Sequence, residues 1–388
     1  MPMELEREDE LVLNGEFGET RRMMMEILVA LGKVFEAERM IPIRSAQVSG
    51  ASYKTIGEYG LQWLKGLDAR AAVPAVLNPV GMDRERWREM GISPEFAKKQ
   101  AEVVAAYERL GIHLDCTCTP YYLTITQFGD HISWSESSAV AYSNSVIGAR
   151  TNREGGPSAL AAAIIGKTPY YGLHIVANRK PGLVIDVDGA GTHDTSWYGA
   201  LGYIAGKEAG NKIPYFRGIR PERDQLKALG AAMAASGAVA LFHVEGITPD
   251  SRVFHYDLNG LDTIPVEQNE IGDLYKDIPV DAVAIGCPHC SPDELGAIAR
   301  LLEGKHVKKP LYVFTSRAVA GNSRGCIETI ERSGARVYAD TCMVVSPCMD
   351  SYQSIMVNSG KAFTYVPNMC NAEARIGTLE DCINVACS

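Results

Sequence analysis

The last third of the chain alternates between strand-like and helix-like segments, and this alternation constrains the fold more than any other feature. Short apolar segments recur between stretches whose apolar residues follow helical spacing. Such a pattern is typical of parallel β-strands joined by crossover helices. The predicted elements are strand 282–286, helix 292–303, strand 311–315, helix 318–333 and strand 336–339. The sequence therefore predicts a repeated βαβ unit in this part of the chain.

The preceding sequence shows the same alternation in a less regular form. Apolar segments at 183–187, 214–219 and 239–244 enclose helical patterns at 197–206 and 223–236. Earlier still, the spacing predicts helices over 20–38, 93–110, 134–148 and 158–165, an extended segment over 40–49 and a short strand over 113–118. The predicted class is α/β, with mostly parallel sheets flanked by helices.

The length of 388 residues exceeds what one compact core usually holds, so we expect several domains around a cleft. Residues 1–70 are predicted as a helical N-terminal segment that packs on the core. Residues 71–278 are predicted as an α/β part that contains Cys118 and the polar loop 150–157. Residues 279–388 are predicted as a βαβ domain that contains Cys287 and Cys342.

Charge and hydropathy exclude two classes of partner. The formal net charge is -9, and the sequence has no basic stripe of the kind that binds a phosphate backbone, so no nucleic acid partner is expected. No apolar run approaches the roughly 20 residues that span a bilayer, and the N-terminal residues are acidic and polar. We therefore expect a cytoplasmic protein with no membrane association.

Polar and cysteine residues follow each predicted strand of the last βαβ unit. Cys287 follows the first strand, 315–317 end the second, and 340–342 end the third with Cys342. In open parallel sheets the carboxyl ends of the strands form the edge where ligands bind. These residues are therefore predicted to border a ligand site.

Ten cysteines in an intracellular chain favour metal ligands and buried thiols over disulfides. Only Cys287 and Cys290 have CxxC spacing, and no second pair completes a compact zinc site. A thioredoxin-like role for this pair leaves the other cysteines unexplained. Three separated thiolates can also hold a cubane iron-sulfur cluster whose fourth iron stays open as a Lewis acid, which suits the dehydration of a hydroxy acid.

Several longer sequence motifs can be compared with those of known families. They are SGASYKTIG at 49–57, CTPY at 118–121, ESSA at 136–139, NSV at 144–146, GARTNREGGPS at 148–158, GCPH at 286–289, DTC at 340–342 and NSGK at 358–361. With these motifs the chain resembles the aconitase X family over nearly its whole length. The resemblance implies an aconitase-like multidomain architecture around a central cleft.

The resemblance also implies a [4Fe-4S] cluster with one iron open to substrate, held by the cysteines of the CTP, GCPH and DTC motifs. In this sequence they are Cys118, Cys287 and Cys342. Cys116 and Cys290 lie close to two of these positions and remain rival ligands.

Two activities are known in the family. One is the dehydration of cis-3-hydroxy-L-proline, often by a longer fused chain. The other is the dehydration of (R)-5-phosphomevalonate to trans-anhydromevalonate 5-phosphate, by separate large and small subunits in an archaeal-type mevalonate pathway. The sequence leaves little room for a fused swivelling domain after residue 361, so the resemblance implies the large subunit of the second kind. A hydroxyproline dehydratase is the first alternative, and an iron-sulfur sensor is an alternative of another class.

The resemblance assigns substrate-binding roles to the matched polar positions. Backbone N–H groups of Gly50, Ala51 and Ser52, with the charge of Lys361, are expected to bind a phosphate. Asn78, Pro79, Asn144 and Ser145 are expected to orient the carboxylate and the hydroxyl. For Asn144 and Ser145 the alternative is a helix end with local hydrogen bonds.

Other polar residues stay ambiguous at the level of sequence. Arg150 and Arg153 either clamp a carboxylate or pair with nearby glutamates. His131, His174 and His289 are each a candidate acid, a partner of a thiolate or a structural residue. By analogy with aconitases, the general base is expected on the small subunit, so this chain alone is expected to have little or no activity.

Overall fold

The computed structural model describes residues 3–123, 125–188, 191 and 193–388. The α-helices in this part of the chain are α1 Arg7–Leu13, α2 Glu19–Val34, α3 Tyr53–Lys65, α4 Pro94–Arg109, α5 Ser137–Tyr142, α6 Gly156–Ile165, α7 Thr195–Ala209, α8 Arg223–Ser236, α9 Pro249–Val253, α10 Gln268–Gly272, α11 Pro292–Leu302, α12 Arg317–Asn322, α13 Arg324–Arg332, α14 Gly360–Met369 and α15 Leu379–Cys387. A π-helical segment, Ser143–Ile147, continues directly from α5.

The strands are β1 Met40–Pro42, β2 Ala46–Val48, β3 Ala75–Leu77, β4 Ser133–Trp134, β5 Lys167–Pro169, β6 Leu183–Val187, β7 Pro214–Arg217, β8 His243–Val244, β9 Thr263–Val266, β10 Ala282–Cys290, β11 Leu311–Thr315, β12 Arg336–Ala339, β13 Ser354–Val357 and β14 Glu373–Ile376. None of the helices in the described ranges is both long and apolar enough to cross a bilayer.

Three parallel sheets dominate the architecture. Their strand orders are β3-β2-β4, β8-β7-β6-β9 and β12-β11-β10-β13-β14, and every pair within them is parallel. The fourth sheet is the antiparallel pair β1-β5. Because the connecting helices pack on these sheets, the predicted class of α/β with mostly parallel sheets is confirmed.

The five-stranded sheet determines where the candidate ligands lie. In β10, Ile285 is paired with Val313 and Cys290 with Thr315, and the register shifts between these two pairs. In the neighbouring parallel pair, Thr315 of β11 is paired with Ala339 of β12. The segments that follow β11 and β12 therefore leave the sheet at one edge, beside the irregular end of β10.

Five predicted elements differ from the structure. One is the helix over 134–148, which begins only at Ser137, after strand β4, and ends in the π-helical segment. Segment 113–118 is not a strand, since only His113 forms a bridge to β3, through Val76. The predicted helix over 318–333 is broken at Ser323, whose backbone has φ -118°. The strand predicted over 239–244 is reduced to β8, and β10 extends four residues beyond its predicted end at Gly286.

Candidate functional site

A cavity of about 160 Å³ lies where the three-stranded sheet β3-β2-β4 meets the five-stranded sheet. It collects residues from distant parts of the sequence and has three cysteines in its wall. The lining residues are Asn78, Pro79, Cys118, Glu136, Ser137, Cys287, Cys342, Val344, Val345, Lys361, Tyr365 and Met369. Six residues predicted from the sequence, namely the three cysteines with Asn78, Pro79 and Lys361, are thus brought together.

Cys118 is placed by a hydrogen-bonded turn that connects it to β10. The hydroxyl of Thr117 bonds to that of Thr119 at 3.0 Å and accepts from the Thr119 backbone N–H at 3.0 Å. The backbone N–H of His289 donates to Cys118 Sγ at 3.2 Å. Because an N–H directed at sulfur favours the thiolate, this contact prepares Cys118 to be an anionic ligand.

Cys287 lies in the irregular end of β10, after a glycine that the packing requires. Gly286 has φ +104°, and a Cβ atom there would lie 2.2 Å from the carbonyl oxygen of Phe314. The peptide bond between Cys287 and Pro288 is cis. The hydroxyl of Ser359, at the start of α14, hydrogen-bonds to the Cys287 carbonyl oxygen, so this cysteine and Lys361 are held near each other.

Cys342 follows a strained residue that is fixed by two arginines. Asp340 is fully buried and has φ +64°, a left-handed conformation. Its Oδ2 accepts from Arg84 Nε at 2.9 Å and from Arg317 Nη2 at 2.7 Å. Its carbonyl oxygen accepts from the Val80 N–H at 2.8 Å, which ties the Cys342 segment to the loop of Asn78 and Pro79.

Lys361 and Glu136 form a buried ion pair in the cavity wall. Their side chains are 7% exposed each, and Lys361 Nζ also donates to Ser138 Oγ at 3.0 Å. Burial alone raises the pKa of Glu136, but the charge of Lys361 and the hydrogen bonds outweigh it and hold that pKa below its usual value. Burial opposes the charge of Lys361 as well, yet Glu136 and the cysteines hold its pKa well above the usual value.

Burial raises the pKa of each of the three cavity thiols. It raises the pKa of Cys118 to about 12 and that of Cys287 well above the usual value, and it raises the pKa of Cys342 in the same way. The charge of Lys361 opposes the shift at all three, and backbone N–H groups of Val344 and Val345 oppose it at Cys342. A cation in the cavity would act in the same direction as the charge of Lys361 and favour the thiolates.

No three His, Cys, Asp or Glu side chains converge on a point that could hold a single metal ion, as far as the structure describes the chain. The three cysteines are instead distributed around one cavity, and each acts electrostatically on another. An iron-sulfur cluster has its ligands on separate irons, so this donor set suits such a group better than a lone ion.

The two rival cysteines face away from the cavity. Cys116 is fully buried in a core cluster that contains Leu110 and Ile112. Cys290 is 1% exposed and packs with Leu295 and Ile298 on the other side of β10. Neither lines the cavity.

The turn formed by Gly50, Ala51 and Ser52 lies at the cavity edge. Ser52 Oγ donates to the carbonyl oxygen of Val345, which lines the cavity, at 2.8 Å. Gly50 has φ +80° and also borders a second cavity of about 200 Å³, with Trp63 and Tyr107 in its wall. The turn is therefore adjacent to the cysteine cavity without being part of its lining.

Asn144 and Ser145 do not line the cavity, because their polar groups are used within the protein. The Asn144 amide donates to the carbonyl oxygens of Thr151 and Ala240 at 2.9 Å each, and its oxygen accepts from the Thr151 N–H at 3.0 Å. Arg179 donates to the same oxygen at 3.2 Å. Ser145 Oγ accepts from the Phe242 N–H at 2.9 Å. This geometry corresponds to the structural alternative for this pair.

The arginines and two of the histidines also lie elsewhere. Arg150 is half-buried and Arg153 is exposed, and neither lines the cavity. His131 and His174 bond to each other through their Nδ1 atoms at 2.9 Å. His289, in contrast, is fully buried beside the cysteines, with Nδ1 3.1 Å from Thr117 Oγ1 and Nε2 2.8 Å from the Thr341 carbonyl oxygen.

Two fully buried glutamines support the site and were not singled out by the sequence. Gln47 Nε2 donates to the Thr117 carbonyl oxygen at 2.8 Å, next to Cys118. Gln100 bonds to the turn at Ala51 and to Gly81. A polar residue on the apolar face of the predicted helix 93–110 was the available signal for Gln100.

Three family models match consecutive parts of the chain. They describe the first, second and third domains of aconitase X and match residues 2–177, 181–276 and 280–388. A solved structure of Thermococcus kodakaraensis aconitase X in its holo-form has a TM-score of 0.92 and 45% identity, and covers 99% of this chain and 100% of that chain.

Curated relatives carry names that describe an activity. The phosphomevalonate dehydratase large subunit of Methanosarcina mazei is 54% identical over 99% of this chain and 97% of its own length. The protein of the same name from Methanocaldococcus jannaschii is 46% identical over 98% of this chain and 99% of its own length. The cis-3-hydroxy-L-proline dehydratase of Pseudomonas aeruginosa is 33% identical over 97% of this chain but 69% of its own length. The chain belongs to the aconitase X family.

Proposed function

We propose that this member of the aconitase X family is the large subunit of a phosphomevalonate dehydratase, which removes water from (R)-5-phosphomevalonate to give trans-anhydromevalonate 5-phosphate. The observation that carries the proposal is the single cavity that brings Cys118, Cys287 and Cys342 beside Lys361. The names of relatives 37–54% identical to this chain support the same substrate. The hydroxyproline dehydratases are more distant, at 32–33% identity.

Cys118, Cys287 and Cys342 would hold a [4Fe-4S] cluster through their thiolates, in the donor environment described above. When bound, the cluster would supply a Lewis-acidic iron, open to the substrate, that polarises the departing hydroxyl. The chain's own residues exclude water, orient the substrate and hold the surrounding charges. Val344, Val345 and Met369 give the cavity an apolar wall that limits its hydration.

We place the carboxylate end of the substrate near Lys361 and Asn78. Lys361 is the only lysine or arginine among the residues that line the described cavity, and Asn78 offers an amide at the same surface. The sequence suggested that Lys361 meets the phosphate instead. Because Lys361 lies among the cysteines, we propose that its charge acts at the reacting carbons and that the N–H groups of Gly50, Ala51 and Ser52 at the cavity edge bind the phosphate.

We further propose that the general base belongs to a separate small subunit. The relatives named for phosphomevalonate dehydration are themselves called large subunits. In the hydroxyproline dehydratases the matched region spans 69% of their own length, so each of those proteins contains further sequence. A second chain that supplies an equivalent of that sequence would complete the site over the cavity.

The test is anaerobic reconstitution of the chain with iron and sulfide, followed by addition of the small subunit. Water loss from (R)-5-phosphomevalonate and from cis-3-hydroxy-L-proline is then measured in parallel, with and without that subunit. The proposal predicts turnover of the phosphorylated substrate only, and only with both chains present. Turnover of hydroxyproline instead, or of neither substrate by the cluster-loaded pair, would contradict it.

A further inference from the structure

Gln100 connects two segments that border the cysteine cavity. It lies on α4, is fully buried, and uses its amide in three hydrogen bonds. Its Oε1 accepts from the backbone N–H groups of Tyr53 and Gly81, both at 2.9 Å. Its Nε2 donates to the carbonyl oxygen of Ala51 at 2.8 Å. One side chain thus fixes the turn of Gly50, Ala51 and Ser52 relative to the loop that follows β3.

The second of these segments reaches the cavity directly. Asn78 and Pro79 line it, and Gly81 follows two residues later. A Cβ atom at Gly81 would lie 2.7 Å from Gln100 Oε1 and 2.7 Å from Ser52 Oγ, so the loop and the turn are in close contact. The Gln100 bonds therefore fix the relative position of two cavity-edge segments.

The same bonds give the turn a one-sided polarity. Each of its carbonyl oxygens accepts from the protein: that of Gly50 from the Tyr107 hydroxyl at 3.0 Å, that of Ala51 from Gln100, and that of Ser52 from the Thr55 and Ile56 N–H groups. The N–H groups of Gly50, Ala51 and Ser52 make no hydrogen bond to any described residue. The backbone N–H donors of the turn are therefore available to a ligand, whereas its carbonyl oxygens are already hydrogen-bonded within the protein. This is the arrangement that binds an anion.

We propose that Gln100 is a positioning residue that makes the site selective for a phosphorylated substrate. It holds the Ala51 carbonyl away from the anion and fixes the position of the turn relative to Asn78 and Pro79. This inference rests on the proposed function, because it assumes that the phosphate occupies the turn. Gln100 itself does not touch the substrate, so its removal changes selectivity rather than the chemical step.

Two variants separate the contributions of the amide. Gln100→Leu keeps the approximate volume and removes all three bonds. Gln100→Glu keeps two acceptor positions for Tyr53 and Gly81, but it replaces the donor to Ala51 by an oxygen and adds a negative charge near the turn. Tyr107→Phe removes only the bond to the Gly50 carbonyl and provides a milder change of the same kind.

The matched control is Gln47→Leu. Gln47 is the other fully buried glutamine at this site, and it bonds to the Thr117 carbonyl rather than to the turn. Its loss should reduce cluster content and kcat, without a selective effect on phosphate recognition. Iron content and the visible absorbance of the cluster are recorded for every variant, so that folding and cluster loading are known before any kinetic comparison.

The experiment measures the KM for (R)-5-phosphomevalonate and inhibition by two fragments, (R)-mevalonate without phosphate and butyl phosphate without carboxylate. For Gln100→Leu with its cluster intact, we expect KM and the butyl phosphate inhibition constant to rise about tenfold, because the Ala51 carbonyl is no longer held away from the anion by Gln100. The inhibition constant of (R)-mevalonate and kcat should change by smaller factors than these two constants, since two of the three Gln100 bonds act on the turn and only the bond to Gly81 acts on the loop of Asn78.

Equal losses for both fragments, or an unchanged KM in a folded and cluster-loaded variant, would overturn the inference. If Gln100→Leu does not fold, Gln100→Glu and Tyr107→Phe decide in the same way, with selective weakening of butyl phosphate as the expected result. Failure of the wild-type pair to turn over (R)-5-phosphomevalonate would refute the proposed function instead. An active wild type with unselective variants refutes only the role of Gln100.

Discussion

The backbone N–H of His289 donates to Cys118 Sγ across 3.2 Å, and this bond joins the end of β10 to the cysteine of a distant loop. The imidazole of the same residue bonds to Thr117 and to the carbonyl oxygen of Thr341, the neighbour of Cys342. His289 therefore contacts the segments of all three cavity cysteines, because Cys287 lies two residues before it. It is the structural centre of the proposed ligand set.

The ring of His289 has a fixed protonation state. Burial lowers its pKa to about 4, so the ring is neutral near pH 7. Nε2 donates to the Thr341 carbonyl oxygen, and Nδ1 consequently accepts from the Thr117 hydroxyl. His289→Leu is expected to lose iron and sulfide faster than wild type during anaerobic gel filtration. The exposed His306→Ala provides the control, and equal cluster retention in both variants would refute this role.

A buried lysine joins the second and third parts of the chain behind Cys287. Lys227 of α8 is 3% exposed and pairs with Glu294 of α11 at 2.5 Å. Because removing one partner leaves a buried charge unpaired, Lys227→Met is expected to lower the free energy of unfolding by about 3–5 kcal/mol. Urea denaturation of the metal-free chain measures the change.

The control is Lys212→Met, which breaks the exposed pair with Asp262. That change should cost less than about 1 kcal/mol, as exposed ion pairs usually do. Equal effects of the two substitutions would show that burial of the Lys227 pair does not matter.

Lys361 is expected to act at the reacting end of the substrate. Lys361→Ala should therefore weaken inhibition by (R)-mevalonate and the apparent binding of (R)-5-phosphomevalonate by similar factors, since both have the carboxylate. It should also shift the absorbance of a bound cluster, because its charge acts on all three cysteines. A selective loss for the phosphorylated compound would support the phosphate role suggested by the sequence instead.

Two buried histidines outside the cysteine cavity, His174 and His243, add to the sensitivity of the fold to acid. Burial and the nearby His131 and Arg179 lower the pKa of His174 to about 3, and burial lowers that of His243 to about 4. The unfolded chain binds these protons near pH 6.5, so it takes up more protons than the folded chain, and stability falls as pH drops from about 6.5 toward 4.

His174→Asn removes one of these titrating groups. The difference in unfolding free energy between pH 7 and pH 5, measured by urea denaturation, should be smaller in the variant than in wild type. An equal or larger difference in the variant would contradict the assignment. The exposed His306→Ala again serves as the control substitution.

The sequence predicted the sheet edge better than it predicted the polar network around it. The carboxyl ends of β11 and β12 follow from the alternation of apolar and helical segments, and this alternation alone places Thr315 and Cys342 at the edge. Glu136 could not be matched to Lys361 in this way, because the two residues are 225 positions apart and pair only through tertiary packing. Gln100 and Ala51 are separated by 49 positions, so their hydrogen bond could not be predicted from the sequence either.

Asn144 illustrates a different limit of prediction from the sequence. It lies in a long family motif, and such a match does not distinguish a residue that binds substrate from one that holds two parts of the chain together. In the structure Asn144 Oδ1 accepts from Arg179, which is 1% exposed and pairs with Asp250 at 2.8 Å. Nothing in the local sequence around Arg179 indicates that it would be buried against Asn144.

The most direct test of the central claim is the iron and sulfide content of five single cysteine-to-serine variants after anaerobic reconstitution. We predict that Cys118→Ser, Cys287→Ser and Cys342→Ser lose most of the bound cluster and its visible absorbance. Cys116→Ser and Cys290→Ser, whose sulfurs face the core, should keep wild-type content. Full retention in any of the first three variants, or loss confined to Cys116→Ser or Cys290→Ser, would contradict the ligand set.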